Sequence, residues 1–85
     1  MGHPRKRPRR LAEKLKQIRL HHGLSQSGLV KELGLSLDYT FVSKWELDRN
    51  EPEISVLLAY CRYANIPLEN LADDELELDL SKIAS

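Results

Sequence analysis

Few side chains in this 85-residue chain stand where they could carry out covalent chemistry. No nucleophile has a partnering base, no carboxylate pair stands out for acid–base work, and no glycine-rich phosphate loop is present. His21 and His22 are neighbours at a helix end, so they do not share a face. They suit the negative end of a helix dipole, or plain surface, better than a metal ion. Cys61 is the single cysteine, which excludes an internal disulfide and a cysteine-rich metal site. It falls in phase with Ile54, Leu57 and Leu58 and reads as a small buried apolar residue. The chain is therefore expected not to be an enzyme and to need no metal or cofactor. What remains is non-covalent chemistry. Arg19 and Glu46 sit inside otherwise apolar-patterned segments, and Gln26 lies at a helix start. Tyr39, Thr40, Ser43 and Lys44 form an outward group once Val42 and Trp45 are set inward, and a basic run spans Arg5, Lys6, Arg7, Arg9 and Arg10.

The elements that must position these residues are helical. Leu11, Leu15 and Ile18 recur at i, i+4 and i+7, one face of a first helix that Gly23 should stop. Ser25 is a good N-cap for a second helix ending near Leu33, with Gly34 closing it. After a turn, Asp38 or Ser36 can cap a third helix, about Tyr39 to Leu47, with Val42 and Trp45 inward. Trp45 could stack on a base, but at this spacing it belongs to the core. Pro52 suits the first turn of a fourth helix with Ile54, Leu57, Leu58 and Cys61 on its inner face. Asn65-Ile66-Pro67 breaks that helix, and Pro67 opens a short fifth carrying Leu68 and Leu71. The expected organisation is an arm over 1–8, a domain over 9–73 and an acidic tail over 74–85. Leu76, Leu78 and Leu80 alternate with acids at period two. This is read either as an acidic tail or as a short strand pairing with a second copy or folding back.

With 41% apolar residues the chain can build one modest core. No apolar run approaches the roughly 20 residues that span a bilayer. The basic N-terminus lacks the apolar core of a secretory signal, so a reducing cytoplasm is expected. Net charge is zero, which by itself argues against nucleic acid. Its distribution argues the other way. Residues 1–22 carry Arg5, Lys6, Arg7, Arg9, Arg10, Lys14, Lys16 and Arg19 against Glu13 alone. Residues 69–80 carry Glu69, Asp73, Asp74, Glu75, Glu77 and Asp79 with no base. Since charges are screened over about 8 Å in physiological salt, the local patch outweighs the sum.

Arg19, Gln26, Leu29 and Leu33-Gly34, then Val42-Ser43-Lys44-Trp45-Glu46, then Arg49-Asn50-Glu51-Pro52 follow in order. Leu57-Leu58-Ala59 and Ile66-Pro67-Leu68-Glu69-Asn70-Leu71 complete the series. Together they resemble the helix-turn-helix domain of the phage Cro and repressor type, the XRE family, over roughly residues 9–72. Three positions depart from that pattern. The turn before the third helix is about two residues longer, Val30 replaces a small residue, and Asp48 stands where glycine is usual. Aspartate accepts a left-handed backbone better than most side chains.

The resemblance implies an all-α, five-helix, lambda-repressor-like DNA-binding domain. It implies base-edge contacts from Tyr39, Thr40 and Lys44, with phosphate contacts from Ser43, Arg49 and Asn50. Lysine can donate to guanine O6 or N7, and threonine can touch a thymine methyl. Gln26, with the free amides of its helix end, can hold a phosphate or is plain surface. Arg19 and Glu46 are expected to form a structural ion pair and not to touch DNA. Phe41 either covers the lengthened turn or lies on a sugar edge. The arm, Arg5, Lys6, Arg7, Arg9 and Arg10, either enters a neighbouring minor groove or adds only non-specific attraction. The function expected is a sequence-specific transcriptional regulator, a repressor occupying a promoter on double-stranded DNA as a homodimer. The alternative is an antitoxin or other module whose acidic tail masks a partner protein.

Overall fold

A computed structural model of the chain describes residues 8–78 and residue 80. Arg5, Lys6 and Arg7, to which arm contacts were assigned, lie outside the described residues, as do residues 79 and 81–85. Among the described residues five helices follow one another: α1 (Leu11–His21), α2 (Gln26–Leu33), α3 (Tyr39–Glu46), α4 (Ile54–Ala64) and α5 (Glu69–Ala72). The architecture is all-α.

Local chemistry sets the helix ends. The Ser25 hydroxyl accepts the Gly28 N–H at 2.9 Å, and the Asp38 carboxylate accepts the Thr40 N–H at 2.9 Å. α1 and α2 each end on a left-handed glycine, Gly23 (φ 69°) and Gly34 (φ 66°). The amide just beyond then turns back, Leu24 N–H to Arg19 O and Leu35 N–H to Val30 O. Asp48 (φ 60°) and Asn65 (φ 58°) do the same after α3 and α4. The turn over 34–38 delivers α3 at Tyr39, with Leu35 and Leu37 packed partly against the core.

That core is built from Leu11, Leu15 and Ile18 of α1, Leu29, Val42 and Trp45, with Leu71 from α5. Trp45 meets Tyr60 edge-on, ring centroids 6.5 Å apart. α4 departs from expectation. Its first turn starts at Ile54, after Pro52 and the N-cap Glu53, not at the proline. The buried side is Val56, Leu57, Tyr60, Cys61 and Ala64. Ile54 is 54% exposed and Leu58 only half-buried, so the inner face is rotated toward Tyr60. α4 is apolar on both flanks of Leu57 and Cys61, and the partners across the core choose between them.

Lys14 is fully buried within the apolar face of α1. Its ammonium donates to the carbonyls of Asn70 (2.7 Å) and Asp73 (2.9 Å), tying α1 to the end of α5. Desolvation lowers its pKa.

The acidic segment forms no strand among the described residues. Leu78 and Leu80 pack against the core instead. The Asp74 carboxylate accepts the backbone N–H groups of Arg9 and Arg10, each at 2.9 Å. It caps α1, whose own N-cap residue Arg10 supplies no side-chain acceptor. The Arg10 guanidinium in turn donates to the Asp74 carbonyl and to both carboxylate oxygens of Glu77. Those bonds from Arg10 and Arg9 hold the Asp74 carboxyl below its usual range. A depressed folded pKa means that the unfolded chain takes up the proton first as pH falls. The contribution is present above the ordinary carboxylate range and lost as pH drops through the folded value. Asp74→Ala should therefore lower the urea midpoint at about pH 7 and match wild type far more closely at about pH 3.

Candidate nucleic-acid interface

α3 is eight residues long and amphipathic by position. Val42 and Trp45 point into the core, which leaves Thr40 and Lys44 on the opposite side, exposed, with Tyr39 exposed at the first turn. Ser43 is half-buried beside them. Arg49 and Asn50 follow on the exposed loop, and the Arg49 N–H is fixed to the Lys44 carbonyl at 2.9 Å. Tyr39, Thr40, Ser43, Lys44, Arg49 and Asn50 thus lie on one helix and the loop that leaves it.

What fixes α3 is a buried carboxylate. Glu46, its side chain 4% exposed, accepts from Arg19 through a two-pronged pair, Nε at 2.7 Å and Nη2 at 2.9 Å. The remaining arm of the Arg19 guanidinium donates to the Leu24 carbonyl at 2.8 Å. Gln26 Nε2 donates to the second Glu46 oxygen at 3.3 Å. The Glu46 carboxylate therefore ties α1, α2 and α3 together, and Arg19 adds the turn after α1. The bonds to Glu46 push the Arg19 pKa up, although burial works against that. Tyr60 completes the surroundings. Burial, reinforced by the Glu46 charge, pushes its phenol well above the ordinary value.

Two site residues are engaged differently from what their types suggested. The Gln26 amide faces Glu46, so a phosphate contact from it must use the second N–H of the same group. Arg10, assigned to the arm, is held by Asp74 and Glu77, whereas the Arg9 side chain is 87% exposed. Acids 64 or more residues away supply that clamp, which no local pattern reveals. Sequence reasoning also passed over Lys14 and Tyr60. Lysine at i+3 from Leu11 on an apolar stripe was the available signal for the first. For Tyr60 it was the apolar flank shared with Val56 and Ala64.

Among the described residues no group of three or more His, Cys, Asp or Glu is arranged to hold a metal, and no helix is long and apolar enough to cross a membrane. Compared with known families, residues 15–71 match the one described as helix-turn-helix, which is more than half of the chain. No curated protein and no solved structure matches it.

Proposed function

The chain belongs to the Cro/C1-type (XRE) helix-turn-helix family of DNA-binding transcription regulators, and on that premise we propose that it is a sequence-specific repressor acting by promoter occupancy as a homodimer. The observation that carries this reading is α3 itself. It buries Val42 and Trp45, anchors Glu46 beneath them, and turns Tyr39, Thr40 and Lys44 outward. A helix so held can lie in a major groove with its polar side against base edges. Ser43, Arg49, Asn50, the second Gln26 N–H and Arg9 are the proposed phosphate and backbone contacts. DNA in the cytoplasm is the proposed target.

Homodimerisation is supported by surface chemistry away from α3. An apolar groove of about 170 Å³ runs between Leu11, Ile54, Leu57, Leu68, Leu71 and Ala72. Ile54 beside it is largely exposed. One module of this size makes few base contacts, and a pair spanning two half-sites multiplies them. The partner-masking alternative has less to draw on, because Asp74 and Glu77 are engaged by Arg9 and Arg10 of the same chain.

Selection of bound duplexes from a random pool tests the reading. A two-fold-symmetric motif with half-sites about 10 base pairs apart is expected. Absence of any enriched sequence would sink it. On the selected duplex, Arg49→Ala should weaken binding evenly across sequences and reduce the salt slope by about one. Titrations at several salt concentrations read that slope. An unchanged slope removes Arg49 from the phosphate contacts.

A further inference from the structure

The interface described so far leaves Phe41 without a part. It lies one turn before Lys44 on α3 and is 41% exposed, although its neighbour Val42 is fully buried. The Phe41 ring lines a cleft with Leu37, Trp45, Pro52 and Val56, next to Asn50 at the loop after α3. The Lys44 ammonium lies over the ring, 5.4 Å from its centroid. Lysine is a point charge on a flexible four-carbon stem, and an aromatic face held in place restricts where that charge sits. The result is a cation set over a partly exposed aromatic ring on α3.

That combination matches two groups that stand side by side in a major groove. Guanine presents the O6 and N7 acceptors to a cation, and thymine presents a 5-methyl group to an apolar surface. We propose that Phe41 is a specificity-determining residue: it positions Lys44 for a guanine and packs its exposed edge on the methyl of an adjacent thymine, so that the two side chains read a guanine–thymine step as one unit. This rests on α3 being the DNA-reading helix.

The test uses the full chain and the duplex enriched from a random pool. Each thymine is replaced in turn by deoxyuridine, which deletes only the methyl. Wild type, Phe41→Leu and Phe41→Ala are compared. Phe41→Leu keeps apolar cover over the Leu37–Trp45 cleft and removes the aromatic face, and circular dichroism and melting confirm its fold. For wild type, a single deoxyuridine at the thymine beside a guanine, in one half-site at a time, should weaken binding about fourfold, the worth of a buried methyl. In Phe41→Leu, preference for that guanine should fall by about five- to tenfold. Affinity for random duplex and the salt slope should stay unchanged, since no phosphate contact is removed. Retention of wild-type base preferences in Phe41→Leu overturns the proposal. An even loss across all sequences does so too, because it puts the ring on a sugar or in the fold. If wild type enriches no motif at all, the assignment of α3 fails first and carries this proposal with it.

Discussion

Replacing Glu46 with alanine should cost the fold about 3–5 kcal/mol, because it strands a buried guanidinium without its anion. The Arg19 side chain is only 11% exposed, and three hydrogen bonds end on the lost carboxylate, two from Arg19 and one from Gln26. Against a total stability of about 5–15 kcal/mol, such a variant stands near its unfolding threshold. For a domain of this length the melting temperature should fall by roughly 15–30 °C. Arg19→Met should do comparable damage from the other side, orphaning Glu46 and the Leu24 carbonyl. Arg19→Lys keeps the charge but loses the fork that spans both oxygens, so it should fall in between. The double variant Arg19→Met, Glu46→Leu buries no unpaired charge and should recover most of the loss. Urea titrations of wild type, Arg19→Met, Glu46→Leu and the double variant form the cycle. Melting of Glu46→Ala within about 2 °C of wild type would show that the pair holds little.

Replacing Tyr39, Thr40 and Lys44 together with alanine should leave the fold intact and remove sequence recognition. All three side chains are exposed, and none is in the buried core. Surface changes of this kind normally shift stability by about 0.5 kcal/mol or less each. Specific binding typically exceeds non-specific binding by about 10³-fold or more, and base-edge contacts supply much of that margin. The variant's affinity for the selected duplex should therefore drop by about 10³-fold toward its affinity for random DNA. Its affinity for random DNA should fall only slightly, by the one lysine charge removed. Fluorescence anisotropy on both duplexes, with circular dichroism as the control for folding, reads the ratio. A preserved ratio would move recognition away from α3.

Much of the helical layout is legible in the residues because the signals are local. Ser25 and Asp38 announce helix starts, while Gly23, Gly34, Asp48 and Asn65 mark where left-handed backbone ends a helix. The periodic leucines of α1 and the Val42–Trp45 pair face inward as their spacing demands. The rest depends on partners far along the chain. The place of Lys14 on the apolar stripe of α1 hints at burial, but the carbonyls of Asn70 and Asp73 that make burial possible lie 56 and 59 residues on. Ile54 and Val56 are equally apolar, so only packing decides that Val56 goes in and Ile54 stays out. Alternating leucines and acids after Asp74 suggest a tail or a strand, and they cannot show that Asp74 caps α1 from the other end of the chain. Within the candidate interface, the third contact to Glu46 was hidden likewise. Glutamine at a helix start is equally suited to a phosphate and to a neighbouring carboxylate, and here the nearest anion is Glu46.

Amide chemical shifts followed while the enriched duplex is titrated into isotope-labelled protein test the central claim most directly. If the exposed side of α3 reads base edges, the largest changes should fall on residues 39–44, on Arg49 and Asn50, and at the start of α2. Residues 73–77, around the Asp74 clamp, should move least. Changes concentrated on α4, α5 or the Asp74 clamp, with residues 39–44 still, would contradict it.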